Sequence, residues 1–205
     1  MTYQQVMSSK YKDIWVNAMK AELKGLQLSG TFNCAVKPDD RKAVSFRWVF
    51  RWKSDQTGHV VTAKARLVAR GFSQVEGIDF SETFAPTPSM SSIRMLAAFA
   101  CEHDLPLYHM DSEQAFIQAK LDEAIFLKLA LGRGEFSGKV MGLGRTLYSL
   151  HRSSRAWSML LTSELKKLGF QQCLVDPCIF RLMDGERVKT IVGVHVDDMI
   201  VVSSN

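Results

Sequence analysis

The stretch at residues 187–204, "RVKTIVGVHVDDMIVVSS", sets the strictest condition on how this chain can fold. β-Branched and apolar residues flank Asp197 and Asp198 on both sides, a composition that favours half-buried strand. A carboxylate in such a run is costly unless something pairs with it. The pattern predicts a hairpin with the two aspartates at its tight turn. Neighbouring strand residues point to opposite faces, so Asp197 and Asp198 cannot share one face, and a site here needs a carboxylate from another strand. Converging carboxylates repel, and one takes up a proton unless a cation neutralises them. Mg²⁺ suits that need, as a hard ion that accepts carboxylate oxygens and recruits phosphates. Two such ions about 3.5–4 Å apart activate an attacking oxygen and stabilise a leaving one in phosphoryl transfer. The competing reading is a solvated turn, because Asp is a good turn former. Candidates for the further carboxylate are Asp79, Asp104, Asp111, Asp122 and Asp176. Asp176 precedes Pro177 and reads as a turn former, while Asp111 closes the strand-like "LPLYHMD". Residue physics alone leaves the choice open.

Charge distribution supplies a second constraint. The 205-residue chain carries a net +5, but residues 41–70 alone carry +7, which leaves the remainder at −2. The cations there are Arg41, Lys42, Arg47, Arg51, Lys53, Lys64, Arg66 and Arg70, against the single acid Asp55. A basic segment beside an acidic remainder suits a polyanion held near a metal site; a solvated basic hairpin is the plainer alternative. Cys34, Cys101, Cys173 and Cys178 show no metal-type spacing, and we read them as reduced thiols of an intracellular protein. The N-terminus lacks a signal-peptide core, and no run approaches the roughly 18 apolar residues of a membrane span.

The rest of the chain reads as alternating elements. Residues 12–28 carry Trp15, Met19, Leu23 and Leu26 at helical spacing. "FRWVFRWKSDQTGHVVTAKARLVARGF" predicts a hairpin turning at 55–58, with Phe46, Trp48 and Phe50 on one face and Arg47, Val49 and Arg51 on the other. Lys64 and Arg66 then share a face on the second arm. "SSIRMLAAFACEH" reads as a Ser-capped helix, "AIFLKLA" as a strand, and the glycine-rich 132–145 as a flexible connection. The span 153–168 predicts a helix capped by Ser153 or Ser154, with Trp157, Leu160, Leu161, Leu165 and Leu168 as its buried stripe and Gly169 as its stop. Asp184–Gly185 predicts a turn between two further strands. The fold class expected is α+β, an antiparallel sheet with helices packed on one face.

Several segments carry a family resemblance: "RWVFRWK", "KARLVARGFSQVEGIDFSETFAP", "MDSEQAF", "LYSLHRSSRAW", "DPCIF" and "HVDD". Together, from about Trp15 to Ser203, the chain resembles the reverse transcriptase of copia-type long-terminal-repeat retrotransposons. The resemblance implies a single reverse transcriptase domain over 1–205, with fingers at about 30–90 and palm at about 91–205. It implies catalytic and metal-holding roles for Asp111, Asp197 and Asp198, with Asp111 and Asp197 holding two Mg²⁺ ions and Asp198 assisting. It also implies nucleotide contacts from Lys64, Arg66 and Arg70, and a residue, Phe116, that crowds the sugar 2′ position. The partners implied are an RNA or DNA template with its primer, deoxynucleoside triphosphates, no membrane, and the remainder of a Pol polyprotein. The setting implied is intracellular, in a cytoplasmic virus-like particle or the nucleus.

The departures are specific. The family's "YGLKQ" reads "YSLHR", with Ser149 for Gly, His151 for Lys and Arg152 for Gln. That Gln packs beside the incoming nucleotide in the family, so Arg152 is a nucleotide-binding candidate that also threatens to obstruct the pocket. His195 stands where the family has Tyr, and "ALGRG" replaces a Pro-x-Gly element. The thumb, ribonuclease H and integrase are expected to be absent from this sequence. Two functional readings lead: an RNA-directed DNA polymerase domain working by two-metal nucleotidyl transfer, or a truncated, inactive remnant that at most binds nucleic acid; a third, a different two-metal enzyme such as a nuclease or cyclase, rests on the aspartates alone.

Overall fold

The computed structural model describes residues 1–36, 38–39, 42–128 and 139–204. In chain order the elements are α1 (Tyr3–Met7), α2 (Lys12–Leu28), β1 (Phe32–Val36), β2 (Phe46–Ser54), β3 (Val60–Ala69), α3 (Met90–Glu102), β4 (Leu107–Asp111) and α4 (Ala115–Gln118). They continue with β5 (Lys120–Lys128), β6 (Lys139–Arg145), α5 (Ser153–Lys167), β7 (Gln171–Gln172), β8 (Ile179–Asp184), β9 (Arg187–His195) and β10 (Asp198–Ser203). The chain divides into two compact units, residues 1–81 with 120–153, and residues 82–119 with 154–205.

The first unit holds the β2–β3 hairpin and a three-stranded antiparallel sheet in the order β1-β6-β5. The hairpin register sets Phe46, Trp48, Phe50 and Trp52 opposite Ala69, Leu67, Ala65 and Ala63. Large rings thus lie beside three alanines and Leu67 on one face, and α2 settles there. Trp15 of α2 meets Phe50 edge-on at 5.3 Å and Trp52 at 4.4 Å, and Val6 of α1 joins the same core. The opposite face carries Arg47, Arg51, Lys53, Lys64 and Arg66, as the period-two pattern predicts. At the turn, Asp55 Oδ1 accepts the backbone N–H groups of Thr57 (2.9 Å) and His59 (3.0 Å), which closes the loop at the expected place.

The glycine-rich connection is in part a strand. Residues 129–138 lie outside the described residues, but 139–145 form β6, the middle strand of its sheet. A Cβ at Gly142 would lie 2.9 Å from Asn33 Oδ1 and 3.2 Å from Ala35 Cβ. Its glycine reflects close approach to β1 and is no sign of flexibility.

The second unit is a five-stranded antiparallel sheet, β4-β10-β9-β8-β7, with helices on both faces. This corrects the expectation of helices on one face. A Cβ at Gly193 would come within 2.6 Å of Leu96 Cδ1, so α3 lies against the face that Gly193 shares with Ile179. Val192 and Val194 point the other way, and with Phe180 they pack against Leu161 and Leu165 of α5. The missing side chain at position 193 is what admits the second helix.

The helix ends follow their sequence signals with two exceptions. Ser89 caps α3, accepting the Ser92 N–H at 3.0 Å, and Gly169 (φ +90°) ends α5 while the Phe170 N–H reaches back to the Leu165 carbonyl. Ser153 does not cap α5 with its hydroxyl, which donates to the Leu147 carbonyl at 2.6 Å. Leu168, placed in the buried stripe, is 70% exposed because the helix stops before that position.

Asp176 is more than a turn former. Its Oδ2 accepts from the Ser89 N–H (3.0 Å) and the Ser92 hydroxyl, and its Oδ1 from the Cys178 N–H (3.0 Å), tying the β7–β8 loop to the start of α3. Burial pushes its pKa up, but these hydrogen bonds outweigh burial and hold it below the usual carboxylate value. Its stabilisation is therefore present above the unfolded value near pH 4 and lost as pH falls through the lower folded value. Asp176→Asn is expected to destabilise the chain by about 2 kcal/mol at neutral pH, and by less in acid, in denaturant titrations at both pH values.

Candidate active site

The acidic candidates meet in the second unit. β10 lies between β9 and β4, and its register puts Asp198 directly opposite Asp111 on one side and His195 on the other. Opposed residues of an antiparallel pair share a face, so Asp111 and Asp198 project together. The turn joining β9 to β10 has two central residues, Val196 and Asp197, one position earlier than a turn centred on both aspartates. Val196 has φ +60° while Asp197 stays at negative φ, the pattern of a type II′ hairpin turn. Positive φ is a strained conformation for a β-branched residue. The Asp197 carbonyl accepts the Ser112 N–H at 2.9 Å, fastening the turn to the residue after Asp111.

Asp111 is exposed, and Asp197 and Asp198 are half-buried. The sequence suggested carboxylates sunk in an apolar run. They stand instead beside the turn at the end of the sheet, where partial exposure to water leaves only part of the desolvation cost that full burial would impose. His109, one period-two step before Asp111, places Nε2 2.9 Å from Asp198 Oδ1. The sequence reading missed His109, although strand alternation alone puts it on the aspartate face. Among the described residues no group of three or more His, Cys, Asp and Glu side chains is gathered as a metal-holding cluster. The donor chemistry itself suits a hard divalent ion: Asp111 and Asp198 are carboxylates opposed on adjacent strands and Asp197 lies in the next turn, all at least partly exposed.

Phe116 lies in α4, five residues beyond Asp111 and half-buried. Asp79, Asp104 and Asp122 lie on other elements. Asp79 accepts the Val75 N–H at 2.9 Å, Asp104 follows α3, and Asp122 lies on β5 in the first unit.

The basic candidates belong to the first unit. Lys64 stands opposite Arg51 and Arg66 opposite Val49 on the charged face of the hairpin. The Arg66 guanidinium lies 5.6 Å from the centroid of the Tyr148 ring, and its Nε is buried without a hydrogen-bond partner among the described residues. The outer edge of β3 is braced by Glu22 of α2, whose carboxylate accepts the Leu67 N–H at 3.1 Å. Burial raises the Glu22 pKa, opposed by that hydrogen bond and by the charges of Arg66 and Lys64. Glu22 is a second residue the sequence did not expose, because it sits within a helical stripe read as core. Arg70 follows β3 and donates its N–H to the Ser45 carbonyl at 2.8 Å.

Arg152 is half-buried and forms an ion pair with Glu123, with Asp122 at 3.5 Å. His151 stacks on Phe80 at 4.4 Å, and its N–H donates to Gln74 Oε1 at 3.0 Å. Ser149 has φ +66°, so the backbone keeps the left-handed conformation that suits the family's Gly. Ser149→Gly is expected to raise stability by about 1 kcal/mol, read from the denaturant midpoint at unchanged slope.

As a class, this is a mixed α/β chain with antiparallel sheets, one of which sets Asp111 opposite Asp198 with Asp197 in the adjoining turn. Comparison narrows the class. The family model described as reverse transcriptase (RNA-dependent DNA polymerase) matches residues 29–205. The chain is 34% identical over 204 residues to the retrovirus-related Pol polyprotein from transposon TNT 1-94 of Nicotiana tabacum, covering 98% of this chain and 15% of that protein. It is 30% identical over 194 residues to the Pol polyprotein from transposon RE1 of Arabidopsis thaliana, covering 93% of this chain and 13% of that protein. An uncharacterized mitochondrial protein of Arabidopsis thaliana, AtMg00820, matches 40% of the chain at 38% identity. The chain belongs to the reverse transcriptase family, as the resemblance implied. It spans about one-seventh of the length of the curated polyproteins it matches. Among the described residues no helix is long and apolar enough to cross a membrane.

Proposed function

We propose that this chain is the fingers-and-palm portion of a retrotransposon reverse transcriptase, adding deoxynucleotides to a primer 3′-hydroxyl on an RNA or DNA template. The observation that carries the reading is the register that sets Asp111 opposite Asp198, with Asp197 in the adjoining turn. In this reading the fingers span about 30–90 and the palm about 91–205. Asp111, Asp197 and Asp198 would hold two Mg²⁺ ions, which supply charge neutralisation and a more acidic attacking hydroxyl. The protein's own part is placement. The aspartates hold their charge at one end of a rigid sheet, Lys64 and Arg66 offer cations to the triphosphate, and Phe116 crowds the sugar 2′ position. Such positioning and electrostatic complementarity account for most of phosphoryl-transfer catalysis.

One observation favours the second reading, a remnant that binds without synthesis. Arg152, standing where the family has the nucleotide-packing Gln, is already committed to Glu123. A single experiment separates the two. The purified chain is given a primed RNA template, deoxynucleotides and Mg²⁺, and both extension and salt-dependent binding are followed. Extension that EDTA abolishes supports the polymerase reading. Binding that weakens steeply with salt but yields no product supports the remnant. A folded chain that does neither removes both.

A further inference from the structure

We infer that Trp157 is a positioning residue for the aspartate turn, acting through the peptide that joins Val196 to Asp197. The inference rests on the reading of Asp197 as a site residue. The indole Nε1–H of Trp157 donates to the Val196 carbonyl at 2.7 Å, and Trp157 is itself buried. That carbonyl belongs to the central peptide of the two-residue turn. Type I′ and type II′ turns both need positive φ at the first central residue; they differ in the second, which is positive only in type I′. Changing from one to the other flips the central peptide. Asp tolerates positive φ well, so nothing at position 197 forbids the flip.

Val196 makes the need for a clamp sharper. Type II′ turns place glycine at the first central position, and this chain places a β-branched residue there at φ +60°. Local preference does not hold such a turn, so the hold must come from tertiary contact. Trp157 supplies it from α5, a helix anchored by Leu161 and Leu165 on the sheet that carries the turn. Fixing the plane of the Val196–Asp197 peptide fixes the direction in which the Asp197 side chain leaves the backbone. It also keeps the Asp197 carbonyl in reach of the Ser112 N–H.

The test uses Trp157→Phe, which keeps the ring and removes the donor, and the double variant Trp157→Phe/Val196→Gly, which restores the residue that a type II′ turn favours. The readout independent of activity is the hydrogen-exchange rate of the Ser112 amide, followed by NMR without metal or substrate. Trp157→Phe is expected to speed that exchange about tenfold and to lower kcat for primer extension about tenfold, with KM for the deoxynucleotide within about twofold. The added Val196→Gly is expected to recover most of both losses, which general damage to α5 would not allow. Unchanged Ser112 exchange in Trp157→Phe, faster exchange with full kcat, or a loss that glycine does not recover would each overturn the inference. Should the wild-type chain not extend primers, the exchange rates and their rescue decide alone. Asp197→Asn separates this inference from the functional reading. Extension that survives it removes Asp197 from the site whatever Trp157 does, whereas extension lost in Asp197→Asn but intact in Trp157→Phe overturns only the role of Trp157.

Discussion

Asp111→Asn is expected to lower Mg²⁺-dependent primer extension at least about 1,000-fold, a loss of about 4 kcal/mol of transition-state stabilisation. The same change is expected to leave the melting temperature unchanged or slightly higher. The two effects run in opposite directions for one physical reason. Asp111 and Asp198 are directly opposed across a strand pair. Like charges so placed repel and weaken the sheet. Asn has the shape of Asp without the charge, so it relieves the repulsion while removing the anionic oxygen. Because Asp111 is exposed, the relief is small, on the order of a few tenths of a kcal/mol. Asp197→Asn is expected to match the loss of activity, since its backbone bond from Ser112 persists. Steady-state extension and calorimetry on the same preparations check both halves. A variant that loses activity and stability together would mean Asp111 is chiefly structural.

Gly71→Ala is expected to destabilise the first unit by about 3 kcal/mol or more, as overpacking against a fixed neighbour does. A Cβ at Gly71 would lie 2.1 Å from the Ser149 carbonyl oxygen and 3.2 Å from its carbon. The obstruction is backbone, so no rotamer change relieves it. The Ser149 segment cannot retreat cheaply either. The Tyr148 carbonyl accepts the Ala69 N–H at 3.1 Å, and the His151 N–H donates to Gln74 at 3.0 Å. Gly58→Ala is the control. Gly58 has φ +86°, but among the described residues no atom lies within 4 Å of where a Cβ would stand. It carries backbone strain without a clash, and about 1 kcal/mol is expected there. Equal losses in the two variants, measured by denaturant unfolding, would refute the close-approach argument.

Much of the local structure was legible because it depends on near neighbours in the chain. The limits of α2 follow from the spacing of Trp15, Met19 and Leu26. The hairpin of β2 and β3 follows from alternation of rings and cations around Asp55. The turn at Gly185 and the stop at Gly169 follow from glycine at positive φ. The misreadings share a cause. Gly142 was read as part of a flexible connection, yet it and Gly193 each mark the place where another element comes close. Nothing near them in sequence says whether a glycine yields to flexibility or to a neighbour. Leu168 was placed in a core that the helix end does not reach. The contacts of His109, Glu22 and Trp157 were missed because their partners lie 89, 45 and 39 residues away.

The sequence by itself determined the family, the strand and helix inventory of most of the chain, and the three aspartates worth testing. It did so because residue spacing encodes faces and because long motifs carry their kinship openly. Only the tertiary structure decided which aspartate stands opposite which, where the turn is centred, what holds Val196 in its strained conformation, and that Arg152 is taken up by Glu123. Register and pairing are relations between distant segments, and a chain read one residue at a time contains no distance between them.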